Sequence, residues 1–298
     1  MIKINNFFDN SNVKCIAEGG VFSIYEHQHD LSVDSNTAMN SYFMEQMNVK
    51  KRQVLCKLDN STVKLQAGAM QWITGDVEMD SGVSGAKDFF GKLVKGAVTG
   101  ESAVKPLYTG TGCVMLEPTY NFLLIEDVAS WGKGIVLDDG LFLACEGNIQ
   151  ESINKRSDVA TALLSGEGIF NLTLSGNGFC VLESPVPREE LVEFELDNDV
   201  LKIDGNMAIA WSSSLQFTTE NASKSIVGST LSGEGVVNVY RGTGKVLVAP
   251  TMNGTVNPSS NGPEQTTANS GSDISVLDNM IVSYPCTGIT LTSPFGSI

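Results

Sequence analysis

The sequence predicts an all-β protein: three pseudo-symmetric antiparallel β repeats packed around one core, with a short helix in the first repeat. Three observations predict it. One template recurs three times along the chain, its apolar residues alternate with a period of two, and glycine falls at the same template positions each time. The 298 residues include 30 glycines, about one in ten where average usage is roughly 7%. At 42% hydrophobic and 18% charged, the chain has enough apolar surface to bury a sizeable core.

Each unit opens on Leu-Asp-Asn or Leu-Asp-Asp, at Leu58-Asp59-Asn60, Leu137-Asp138-Asp139 and Leu196-Asp197-Asn198. A glycine turn before an apolar residue follows, at Gly68-Ala69-Met70, Gly147-Asn148-Ile149 and Gly205-Asn206-Met207. Next come a Gly-Glu pair (Gly100-Glu101, Gly166-Glu167, Gly233-Glu234) and a G-x-G (Gly110-Thr111-Gly112, Gly176-Asn177-Gly178, Gly242-Thr243-Gly244). An apolar strand and a proline close the unit, at Pro118, Pro185 and Pro250. Spacing between features is uneven, and Ser102 stands where the other units have a further glycine.

The local chemistry of a unit is legible. Asn and Asp tolerate the left-handed region, so Leu-Asp-Asn marks a tight reversal between strands. Phe170, Leu172 and Leu174 share one parity, as do Val237 and Val239, which predicts strands with one buried face. Prolines end strands where no ladder donor is needed. A short sheet of this kind cannot bury its face alone, so the three pack on one another.

These features divide the chain into an N-terminal extension (1–53), a three-repeat β domain (54–251, in units of about 54–118, 124–185 and 191–251), a flexible linker (252–273) and a C-terminal segment (274–298). The extension reads as one or two strands and then an amphipathic segment from Ser35 to Met47, with Met39, Phe43 and Met47 at helical spacing. The short helix of the first repeat is Ala86 to Lys95, where Phe89, Phe90, Leu93 and Val94 share a face. The linker is rich in Asn, Ser, Thr and Gly.

The net charge of −15 sets the class of partner. Residues 54–251 hold 14 basic and 25 acidic residues, the wrong field for phosphate, so no nucleic-acid partner is expected. Lys50-Lys51-Arg52 is the one three-residue basic run. The first residues lack the pattern of a signal peptide, and apolar runs such as Phe122-Leu123-Leu124-Ile125 fall far short of the roughly 20 residues that span a bilayer. Six cysteines form no C-x-x-C pair, and those inside apolar runs, such as Cys145 and Cys180, act as small reduced hydrophobes. A soluble, reducing, cytoplasmic setting is the expectation.

Leu65-Gln66-Ala67-Gly68-Ala69-Met70, together with the Gly-Glu and G-x-G units, resembles the altered-inheritance-of-mitochondria (mitochondrial biogenesis) family of the tryptophan-RNA-binding-attenuator-like superfamily. The resemblance covers residues 54–251. It implies a three-repeat, all-antiparallel β architecture and brings no active-site signature. In eukaryotes the family is linked to mitochondrial membrane organisation.

Candidate chemistry is sparse. In Glu26-His27-Gln28-His29-Asp30, two histidines on one strand face would supply two metal ligands, but a third ligand is missing, and an exposed polar strand is the simpler reading. Glu101, Glu167 and Glu234 would converge as a ligand or cation site if the repeats bring them together; glycine-flanked carboxylates more often serve tight turns. Phe89 and Phe90 are candidate partner or membrane anchors, although packing against the β body fits a ten-residue segment of an acidic chain better. G-x-G here lies between strands and is no phosphate loop, and no G-x-S-x-G elbow occurs. No catalytic residue, cofactor or metal is predicted. The expected function is a non-enzymatic scaffold or interaction module, linked to membrane organisation or protein assembly, that binds a protein partner or a membrane surface or self-associates. The alternative is a small-ligand or metal-ion sensor using polar groups between the repeats.

Overall fold

Where the template repeats, backbone geometry repeats with it. The computed structural model describes residues 2–81, 105–155, 170–205, 207–221 and 236–250. In chain order the elements are β1 (Val13–Gly19), β2 (Phe22–His27), α1 (Ala38–Gln46), β3 (Arg52–Leu65), β4 (Met70–Asp80), β5 (Leu107–Leu116), β6 (Phe122–Asp127), β7 (Ile135–Leu137) and β8 (Phe142–Glu146). There follow β9 (Gln150–Lys155), β10 (Phe170–Ser175), β11 (Phe179–Ser184), β12 (Val192–Asp204), β13 (Ala208–Ser212), β14 (Gln216–Asn221) and β15 (Val236–Val248). The helix expected over residues 86–95, the linker at 252–273 and the segment at 274–298 lie outside the described residues. The amphipathic segment from Ser35 to Met47 does form a helix, α1.

Among the described residues, all strand pairing is antiparallel and falls into two sheets. The first holds eight strands, with the path β1-β2-β3-β8-β11-β6 and β5 and β4 added beside β3. The second holds seven, with the path β12-β15-β13-β7-β10-β9 and β14 added on β15. The extension is therefore continuous with the repeats, because β1 and β2 extend the sheet that β3 begins.

The first and third units share one device. Leu58 pairs with Gly112 and Ser61 with Gly110, so Asp59 and Asn60 together oppose Thr111. Leu196 pairs with Gly244 and Asp199 with Gly242, so Asp197 and Asn198 oppose Thr243. Two residues against one is a β-bulge, which bends and twists its strand. Asn60 and Asn198 take φ of 45° and 51°. Each donates its backbone N–H to the threonine hydroxyl of the facing G-x-G at 3.0 Å. The second glycine of the triplet is there for space. A Cβ on Gly112 would drive into the Thr74 carbonyl oxygen, and one on Gly244 would stand 2.6 Å from Ser212 Cβ.

In the middle unit the same positions become chain crossings. Leu137-Asp138-Asp139-Gly140 separates β7 from β8, and Gly176-Asn177-Gly178 separates β10 from β11. β7 and β10 then pair in the second sheet, while β8 and β11 pair in the first. This unit stitches the two sheets together. The core cluster around it draws Ile135, Leu137, Leu172 and Leu174 from one sheet and Phe142, Cys145, Cys180 and Leu182 from the other. Separate clusters fill the first sheet, around Phe22, Val54, Val63 and Val114, and the second, around Trp211, Tyr240 and Val246.

The expected alternation holds, with one difference. Leu172 and Leu174 are buried, and so are Asn171 and Thr173 between them; Val237 and Val239 are buried along with Asn238 and Tyr240. These strands lie inside their sheets, so the second face is covered too. The polar members stay satisfied: Asn171 donates to the Leu137 carbonyl and Asn238 to that of Gly205.

Gly112→Ala is expected to cost about 2–3 kcal/mol in denaturant unfolding, the scale of forced overpacking. Gly68→Ala, where an added Cβ meets nothing within 4 Å, is expected to cost only the left-handed backbone penalty of about 1–2 kcal/mol. Equal losses in the two variants would show that close strand approach does not require the glycine.

Candidate functional site

The two segments singled out for charge in the sequence meet in the structure. Glu26 Oε2 accepts from Arg52 Nε at 3.0 Å and pairs with Arg52 Nη2 at 2.8 Å, while Glu26 Oε1 takes Lys50 Nζ at 3.2 Å. Asp30 Oδ1 takes Lys51 Nζ at 3.0 Å. The one basic run of the chain is thus neutralised internally by the Glu26–Asp30 stretch, and it offers no free patch to phosphate.

The histidines of that stretch do not converge. His27 Nε2 contacts Gln53 Oε1 at 3.1 Å, whereas His29 Nδ1 contacts Glu45 Oε2 at 3.0 Å. Among the described residues, no group of three or more His, Cys, Asp or Glu is placed to hold a metal ion. Glu101, Glu167 and Glu234 fall in the connections β4–β5, β9–β10 and β14–β15, outside the described residues. Phe89 and Phe90 also lie outside them.

The same polar network fixes α1. Asp34 orders the turn that leads into it by accepting from the Asn36 and Thr37 N–H groups at 2.8 and 3.0 Å. Its end is closed by Asn48 in the left-handed region, φ 62°. Arg52 Nη2 donates to the Asn48 carbonyl at 2.9 Å, a cation at the helix C-terminus where the carbonyl dipoles favour one. Glu45, in the last turn, accepts from the Asp30 N–H at 2.7 Å and binds His29. Tyr120, in the loop before β6, donates its hydroxyl to Asp30 Oδ2 at 2.5 Å. That bond, ahead of the Lys51 ammonium, holds the Asp30 carboxyl down to about 2, and it pushes the Tyr120 hydroxyl up to about 12.

Because its anchors are polar, the helix turns Glu45 and Ser41 inward beside Met44 and leaves most of its large apolar side chains outside, with Asn40 and Gln46 among them. Ser41, Met44 and Glu45 are half-buried beside Tyr120, Val49 and Lys51. Met39, Tyr42, Phe43 and Met47 point to solvent, exposed by 72%, 58%, 60% and 76%. No residue of the helix is fully buried. Soluble helices ordinarily turn the apolar stripe to the core; this one turns it out.

A cleft opens beside the end of the helix. β1 and β6 are the two ends of the first sheet's path, and the bend in β3 turns them toward each other. They touch at Gly19, where an added Cβ would stand 2.6 Å from Ile125 Cγ2. Glu146 pins the neighbouring turn by accepting from the Val21 and Phe179 N–H groups at 3.1 and 3.0 Å. The cleft, about 420 Å³, is lined by Ile16, Phe122, Leu124 and Phe179, with Asn48, Arg52, Glu126 and Arg188 contributing polar groups. Ile16 is extruded by a bulge in β1 between Cys15 and Ala17. Arg52 is 2% exposed, lies 4.4 Å over the Phe122 ring and is fully engaged by Glu26 and Asn48. Burial pushes the Glu126 carboxyl up, against the opposing pull of Trp131 Nε1–H and Arg188. Sequence reasoning recorded Phe122 to Ile125 only as an apolar run. The signal it lacked was long-range: sheet edges that meet are invisible in a linear pattern.

Folded-state pKa values on both sides of neutrality set a pH window for helix docking. The depressed Asp30 contributes stability above its unfolded value near 4 and loses it as pH falls toward 2. The raised Tyr120 contributes below its unfolded value near 10 and loses it as pH rises toward 12. Tyr120→Phe is expected to move the Asp30 carboxyl midpoint, read by carbonyl NMR, from about 2 back toward 4. An unmoved midpoint would show that Lys51 and the Ser32 N–H set it without the tyrosine.

The chain is 24% identical to a protein of Streptococcus pyogenes whose crystal structure covers 69% of this chain and is itself matched over 90% of its length, with a TM-score of 0.50; that likeness is one of fold. It is also 30% identical over 196 residues to an uncharacterized protein of Streptococcus pyogenes serotype M6, covering 63% of this chain and 76% of the relative. A family model described as Mitochondrial biogenesis AIM24 matches residues 44–251, from within α1 to just past β15. With that match taking in all three repeats, the chain belongs to the Mitochondrial biogenesis AIM24 family.

Proposed function

We propose that the protein is a non-enzymatic interaction module, a scaffold of a reducing, cytoplasmic setting whose working surface is the outward side of α1. The observation that carries this reading is the inverted helix. Four large apolar side chains on one face are held out by a polar network built on the other. A single exposed apolar residue is ordinary, whereas a contiguous apolar stripe marks a contact surface. The partner is a protein. Phosphate-rich partners are disfavoured, since the basic run is already paired with Glu26 and Asp30.

A second reading, a small-ligand sensor, draws on the cleft between β1 and β6. An apolar floor of Ile16, Phe122 and Phe179 beside Arg188, whose side chain is 41% exposed, suits an elongated amphiphile, and mouths of curled sheets are frequent ligand sites.

Two measurements separate the readings. A photo-crosslinking residue at position 43 in living cells is expected to give discrete protein adducts, while one at position 195, an exposed site on β12, gives none. Equal labelling at both sites would defeat the interaction reading. Native mass spectrometry of freshly purified protein is expected to show a defined oligomer of the polypeptide with no added mass; a retained small molecule that Phe122→Trp expels would favour the sensor.

A further inference from the structure

We infer that the occupant of the α1 face is a second copy of this chain, docked as an antiparallel pair of helices about a twofold axis near Phe43; this rests on the reading of α1 as the working surface. Charge is the first argument. Two copies of a chain with net charge −15 repel one another everywhere except where a patch lacks acids. α1 contains a single charged residue, Glu45, and it is turned inward onto His29 and the Asp30 N–H. Its outward stripe can therefore meet an identical stripe with no like charges in register. The exposed apolar residues of β12 fail this condition. Val192, Phe194 and Val200 are interleaved along the strand with Glu193, Glu195, Asp197 and Asp199, the charged-edge device that discourages pairing.

Area is the second argument. At the observed exposures, Met39, Tyr42, Phe43 and Met47 present about 550 Å² per copy, so a twofold pair has at most about 1,100 Å² to hide from these residues, against the roughly 1,000 Å² that a specific interface requires. Leu31 and Val33, exposed by 76% and 37% in the loop leading into the helix, add to the same side of that threshold. The composition also fits, since aromatic residues and Met are enriched in interface cores and charged residues depleted.

Geometry makes the inference specific. A twofold axis produces an isologous contact, and antiparallel placement sets each helix dipole against the opposite end of the other. With the axis at Phe43, Phe43 meets its own copy and Met39 meets Met47 of the other chain.

In a Cys15→Ser, Cys286→Ser background, which removes the thiol that is exposed among the described residues and the one in the C-terminal segment, light scattering after size exclusion at tens of micromolar is expected to give twice the chain mass. Phe43→Glu, and independently Met47→Lys, are expected to halve it with an unchanged far-UV spectrum. Under mild oxidation, a mixture of Met39→Cys and Met47→Cys proteins is expected to form the mixed disulfide in several-fold excess over either like pair. A monomeric parent, a Phe43→Glu variant of unchanged mass, or an excess of like pairs would each overturn the inference. A monomeric parent whose position 43 still crosslinks other proteins in cells would sink the self-pairing and leave the interaction reading standing. Loss of both signals would sink both.

Discussion

The structure depends on one β-bulge used twice. At each end of the repeat array, two residues of a Leu-Asp-Asn oppose the single threonine of a Gly-Thr-Gly, and the second glycine leaves room for the strand on its other side, the Thr74 carbonyl in the first unit and the Ser212 side chain in the third. The bulge bends a strand of thirteen or fourteen residues that would otherwise run straight past its neighbours. In β3 the consequence is direct. Residues 52–56 carry β2 along one edge, and past the bulge residues 63–65 carry β8 along that same edge, while β5 takes the other. The bend brings the β1–β2 hairpin round to face β11 and β6, which creates the cleft and sets the floor on which α1 is docked.

The second determinant is electrostatic. Arg52 and Glu26 are both nearly buried, and a buried ion pair seldom adds much net stability, because desolvation offsets most of the attraction. Its service here is positional. Arg52 joins β3 to β2 through Glu26, to the end of α1 through Asn48, and to the loop before β6 through the Asn121 carbonyl at 3.4 Å. One guanidinium, with its planar set of five donors, therefore fixes the register of three elements distant in sequence. A lysine carries the charge and cannot span those directions. The cleft wall and the helix orientation both follow from this placement.

How far the sequence reached can be judged residue by residue. The triplicated template marked positions where φ and close packing favour glycine or asparagine, since such demands leave a mark in the residue type. Its reading of Leu-Asp-Asn and G-x-G as reversals between strands holds only in the middle unit; in the first and third units both lie inside continuous strands and form a bulge. Met39, Phe43 and Met47 correctly marked a helix. What they could not reveal was which way it faces. That choice is made by His29, Asp30, Lys51 and Tyr120, spread across ninety residues, and no local period encodes it. The assignment of one buried face to each strand fell short for the same reason: Asn171 and Asn238 look solvent-facing until the strands that cover them are known. The acidic and basic runs were each visible, but their mutual cancellation needed the β2–β3 pairing.

Magnitudes explain why the outward stripe of α1 is informative. Hiding about 550 Å² of apolar surface is worth on the order of 10 kcal/mol at roughly 25 cal/mol per Å², comparable with the whole stability of a domain. The polar contacts that hold the helix the other way contribute about 0.5–3 kcal/mol each, and there are few of them. A chain selected for its isolated stability alone would have rotated the helix by half a turn and placed the stripe on the sheet. The sequence instead puts Ser41 and Glu45 where the sheet offers His29 and the Asp30 amide, and it keeps acids off the opposite side. Both halves of that arrangement have a cost in the isolated chain, and association at the helix face offsets both.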